Sequence, residues 1–233
     1  MNHSSIIRQT LAYTCLALLV FLVVLMAWPR WLAYLQFLPV QQVRIQLFAS
    51  GSKAHDLDGL IARSHRAIAA HDTYSFHSTL SLLHYLRGID PGTSLNERRL
   101  SLDQSMLSAR ASLQGAPLQP DQWLLMSQAG SQVFFPAREL AAYFRMAIWS
   151  GRVEPTHLIN RLQIGFALQA QLDEEGLGLL RDQVLLAWNL RQREFVTAIR
   201  NGQLNRQRIA ALLALTHPDV LREMEDVLGP ATV

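Results

Sequence analysis

Residues 11–28, LAYTCLALLVFLVVLMAW, contain no charge, and their only polar groups are the hydroxyls of Tyr13 and Thr14, the Cys15 thiol and the Trp28 ring nitrogen. A helix rises about 1.5 Å per residue, so about 20 apolar residues cross a hydrocarbon layer ~30 Å thick. The run with its flanks reaches that length. Buried core helices of soluble domains carry a polar edge, which this run lacks. The charged start is thin, the apolar core exceeds the ~7–15 residues of a cleavable signal, and Leu25-Met26-Ala27 is no small-x-small site. An uncleaved anchor is expected, with Leu11, Leu18, Phe21, Leu25, Trp28 and Trp31 facing lipid. Beyond it, Pro29, Arg30, Trp31, Tyr34 and Phe37 read as an interfacial extension to Leu38, because Trp and Tyr favour the headgroup level and Arg30 can snorkel there.

The expected layout is a short tail over 1–10, a span with its extension over 11–38, a linker over 39–52 and a helical domain over 53–233. Val43, Ile45 and Leu47 alternate as a lone strand would, and a continued helix fits as well; with no partner strand in sight the segment reads as a linker. Half of the residues are hydrophobic and 17% are charged, which excludes a disordered chain. The single cysteine excludes an internal disulfide framework and any zinc site built from two thiolates. A net charge of +3 is too small to point to nucleic acid, and none is expected as a partner.

From residue 53 the apolar period is helical. Leu57, Leu60, Ile61, Ser64 and Ile68 share one face; Phe76, Leu80, Leu83 and Leu86 mark the next helix, with Asp72 or Thr73 as its cap. Ser94 and Glu97 form a capping box for a helix carrying Leu102, Met106, Ala109 and Leu113. Asp121 is placed to cap Gln122–Gln132, a helix over Pro136–Trp149 follows, and Pro155 opens the next. Asp173, Glu174 and Glu175 stand where anions favour a helix start. Asn205 caps Arg206–Leu215, and Pro218 opens a last helix with an Arg222/Asp226 pair at i,i+4. The fold class is therefore all-α: an N-terminal transmembrane helix followed by helical hairpins.

Pro120, Trp123, Ala142, Phe144, Ala147 and Pro155 are spaced so that residues 117–155 resemble one degenerate tetratricopeptide-type helix pair. The whole layout, carried by Trp123, Pro155, Arg161, Leu162, Asp173, Glu174, Gln183 and Trp188, is similar to single-span accessory proteins of bacterial exopolysaccharide and cell-envelope assembly systems. The resemblance implies an accessory or scaffold role with no catalytic residues of its own. Trp123, Phe144, Trp149, Arg161 and Trp188 are then the candidate partner groove, although aromatics at this spacing also suit a core.

Five of the eight histidines, His55, His65, His71, His77 and His84, lie within thirty residues, with His77 and His84 on one helix face. Three or four convergent ligands are needed for zinc, and no HExxH or similar spacing occurs, so neither a metal nor a cofactor is expected. The adjacent acids at 173–175 fan outward and make no acid–base pair. Arginines after position 180 are interleaved with acids and read as a solvated surface able to meet acidic helices or an anionic glycan. The expected protein is a bitopic inner-membrane scaffold bound to other envelope proteins, with its C-terminal domain periplasmic. The alternatives are a metal- or glycan-dependent enzyme using the His55–His84 region, or a tether facing the cytoplasm.

Overall fold

A computed structural model describes residues 3–50 and 56–229, with side chains described over 11–43 and 56–229. Its regular structure is helical, with eleven α-helices and two 3-10 turns, and no strand occurs among the described residues. The first helix, α1 (His3–Ser50), runs without a break through Pro29 and Pro39. Each proline removes one N–H, leaving the carbonyls of Leu25 and Leu35 without their usual donor. From Leu11 to Val43 this helix is long and apolar enough to cross a membrane. Leu11, Leu18, Phe21, Leu25, Trp28 and Trp31 are each more than half exposed.

Two expectations change here. The segment expected as a linker is helical to Ser50, while its residues 51 and 52 lie outside the described residues. Phe37, expected at the membrane interface, is core. Ala33, Phe37 and Val40, spaced by four and three, form a buried stripe against Leu60, Ile61 and Ala67 of α2 (Leu57–Ala70) and Phe76, Leu80 and Leu83 of α3 (Tyr74–Ile89). The Phe37 and Phe76 rings lie 4.3 Å apart, and Tyr34 meets Phe76 edge-on at 5.3 Å. The burial of this stripe offsets the hydrogen bond lost at Pro39, and α1 becomes the first wall of the domain.

The helices then stack in chain order, most of them packing on their sequence neighbours, as in repeat architectures. The α3 helix lies against α4 (Leu95–Gly115) along a seam of small hydroxyls. Ser81 Oγ donates to the Ser105 carbonyl (2.8 Å), Ser105 Oγ returns a bond to the Ser81 carbonyl (2.9 Å), and Ser112 Oγ donates to the Tyr74 carbonyl (2.8 Å). At Gly88 a methyl group would stand 2.6 Å from Leu102, so close approach there requires glycine. The hairpin of α5 (Pro120–Gln132) and α6 (Ala137–Trp149) follows, tied to α3 by Gln122 Nε2 donating to Ser78 Oγ (2.9 Å). A second core, built on Phe144, Leu158, Leu162, Leu180, Trp188, Phe195, Leu213 and Met224, joins α6 to α7 (Leu158–Ala167), α8 (Glu174–Leu190), α9 (Gln192–Arg200), α10 (Arg206–Leu213) and α11 (Pro218–Leu228).

The caps follow the sequence at three starts: the Ser94/Glu97 box on α4, Asp173 accepting from Gly176 N (2.9 Å) on α8, and Asn205 accepting from Arg208 N (3.0 Å) on α10. They depart from it elsewhere. Asp72 pairs with His77 Nε2 (2.8 Å) and Thr73 holds the cap position of α3 without a side-chain bond. Gln119 precedes Pro120 at the start of α5, leaving Asp121 inside the first turn. Arg222 pairs with Asp219, one turn before it, and not with the expected Asp226, one turn after it.

Candidate functional site

The turn between α6 and α7 is held by one buried side chain. Arg161 on α7 is wholly inaccessible, yet no carboxylate touches its guanidinium. Its Nη2 donates to the Ala147 carbonyl (2.8 Å), at the end of α6 where helix carbonyls lack partners, and its Nη1 donates to Gln183 Oε1 (3.1 Å). Gln183 Nε2 in turn donates to the Arg152 carbonyl (3.1 Å). Burial lowers the Arg161 pKa to about 10, opposed by Glu154, so the group remains a cation at neutral pH. The favourable end of the α6 dipole is its counter-charge. His157, beside it, is lowered by burial and then by the Arg161 charge.

Outside this clasp lies an open cleft of about 530 Å³ lined by Ile148, Trp149, Arg152, Glu175, Gly178, Leu179 and Asp182. Trp149 is 54% exposed. Arg152 makes a forked pair with Asp182, Nε to Oδ2 at 2.7 Å and Nη2 to Oδ1 at 2.9 Å, which raises the arginine pKa through that hydrogen bond and charge. No heavy atom would lie within 4 Å of a methyl group at Gly178, so the floor of the cleft is free. The cleft thus offers an apolar wall from Trp149 and Leu179, and charged rims of both signs.

The expected partner groove is rearranged. Phe144 (0% exposed), Arg161 (0%) and Trp188 (3%) lie inside the core and line no outer surface. Trp123 is half-buried, its ring nitrogen donates to the Pro117 carbonyl (2.8 Å), and it stacks on Tyr143 at 6.1 Å. Trp149 alone of the five stands open beside a cleft. Aromatics at helical spacing fill a core and a groove equally well, and the surface carries only the one at a helix end. Arg152 and Asp182 were not singled out from the sequence, being thirty residues apart. The stripe Glu175, Gly178, Leu179, Asp182 on one face of α8 was readable, since charge, gap and charge at spacings of three, one and three mark an open helix face.

The histidines do not converge. His77 pairs with Asp72, and His84 is buried on α3 with its ring 6.0 Å from that of His65 on α2. Neither His84 nitrogen has a hydrogen-bond partner. Among the described residues no group of three or more His, Cys, Asp or Glu side chains is placed to hold a metal ion; His55 lies outside the described residues. Asp173 caps α8 and pairs with Arg145 (2.6 Å), which leaves the acidic triplet a helix start. In comparisons with known proteins, no family, no curated protein and no solved structure matches this chain.

Proposed function

We propose that the chain is a single-pass membrane scaffold, an accessory subunit that presents its hairpin stack to other proteins of a bacterial envelope assembly or export complex, exopolysaccharide assembly among them. The membrane of this reading is the bacterial inner membrane. The C-terminal domain is periplasmic, in keeping with one cysteine, which lies within the apolar run, and one lysine in the whole chain. The observation that carries the reading is the open cleft at Trp149 on a body whose first wall is the anchor helix itself. An aromatic wall rimmed by Arg152, Glu175 and Asp182 suits an amphipathic helix or extended segment bearing both apolar and charged side chains. An anionic glycan is the smaller ligand the same rim could engage through Arg152.

A photo-crosslinking residue at position 149, in cells carrying the full chain, tests this. A discrete protein adduct that is lost when Gly178→Arg fills the cleft supports the scaffold. A chain that yields no adduct and leaves gentle detergent extraction monodisperse and partnerless overturns it. A reporter fused after Val233 and active only in the cytoplasm would reverse the orientation.

A further inference from the structure

An exposed leucine on a loop is ordinary by itself; its height relative to the anchor gives it meaning. Phe76 packs on Tyr34 and Phe37, so the start of α3 lies level with residues 34–37 of α1. The α2 helix returns along α1 and α3 runs outward again, so Tyr74, two residues before Phe76, lies about 3 Å nearer the apolar run. Ser112 of α4 bonds the Tyr74 carbonyl at 2.8 Å, and α4 runs antiparallel to α3, continuing toward the anchor for a further ~4 Å through Gly115. A methyl group at Gly115 would stand 3.0 Å from Tyr74 Cβ, which confirms the level. The chain then turns through Gly115-Ala116-Pro117-Leu118-Gln119, a loop without charge, at the height of Arg30 and Trp31. Leu118 is 74% exposed and Tyr74 48%; on α1, Trp31 is 63% exposed and Tyr34 52%.

Residues 11–32, the stretch of α1 before the first buried side chain, span about 33 Å, one hydrocarbon thickness. With that stretch in a bilayer, the α4–α5 loop meets the headgroups. We infer that Leu118 and Tyr74, together with Trp31 and Tyr34, form a second membrane contact in which the α4–α5 loop inserts Leu118 among the lipids. The inference rests on the reading of α1 as a span. Its occupant is the lipid surface, because the loop lies level with the last exposed turns of the apolar run and carries no charge. The paired Asp72 and His77 lie on the adjoining rim, where headgroups and water remain. Interfacial aromatics suit such a contact, an apolar body with a polar tip. The contact fixes the tilt of the body, which one helix alone would leave to lipid thickness.

The test uses the full chain in vesicles of three parts phosphatidylcholine to one part phosphatidylglycerol, with a nitroxide on single cysteines. The native Cys15 reports the anchor. In Cys15→Ser chains, Leu118→Cys reports the loop, while Leu95→Cys and Phe134→Cys, exposed apolar positions at the opposite ends of α4 and α5, report water. The expected result is a ratio of oxygen to nickel-chelate accessibility at 118 several-fold above that at 95 and 134, with Cys15 also oxygen-dominated. A water-like signal at 118 with Cys15 in lipid overturns the contact alone. A label at 118 that is immobile and shielded from both reagents means a protein covers the loop, which also overturns it. A water-like Cys15 overturns the span and this inference with it.

Discussion

The buried His84 makes the domain sensitive to acid. The ring is 7% exposed, has no hydrogen-bond partner, and faces His65 with Arg87 one turn further along α3. Burial first, then the charges of His65 and Arg87, lower its pKa from 6.5 to about 4, with Asp58 opposing. The neutral form is therefore the native one, and below pH 6.5 the unfolded chain binds a proton that the folded chain refuses. Stability is full above pH 6.5, falls as pH drops toward 4, and levels off below it. The limiting loss is about 3 kcal/mol, of which about 2 kcal/mol is gone by pH 5. The assay is urea unfolding of the full chain in detergent micelles, followed by tryptophan fluorescence at pH 7.5 and pH 5, for the native chain and for His84→Leu. The native chain should lose about 2 kcal/mol more than the variant over that interval. His157 contributes the same sign to both proteins and cancels in the difference. Equal losses in the two proteins, or a His84 ring titrating near 6.5 by NMR, would refute the reasoning.

Three further substitutions probe the packing. Phe37→Ala removes the ring joining α1 to α3 and should cost about 3–5 kcal/mol in the same unfolding assay, with protease sensitivity appearing first between α1 and α2. Arg161→Ala strands the Ala147 carbonyl and Gln183 Oε1 and should cost about 2–5 kcal/mol, while Arg161→Lys recovers only part because an ammonium lacks the planar fork. Ser81→Val wedges the α3–α4 seam and should cost about 1–3 kcal/mol, against about 1 for Ser81→Ala, as read from unfolding midpoints.

The helical class and most helix starts were legible because capping residues and proline act within a few residues of themselves, as at Ser94, Asp173, Asn205 and Pro218. The docking of α1 was hidden by its own composition. A stripe such as Ala33, Phe37 and Val40 shows up only against polar neighbours, and in a helix this apolar the exposed face is apolar too. Ser81, Ser105 and Ser112 escaped notice because serine reads as surface, although it also permits close helix approach. Arg161 suits a groove by sequence, since a fully buried arginine without an acid is rare and its partners are a carbonyl and an amide that only the fold assembles. Of the candidate groove, Trp149 kept its exposure because it is the last residue of α6.

The continuity of α1 into the domain has a mechanical consequence. A tethered body hangs on slack that lets it swivel and reach; here the first wall of the body and the apolar stretch are one rod. Any pull on the hairpin stack is transmitted at once to the apolar stretch, and any rotation of that stretch about its own axis swings the Trp149 cleft through the same angle.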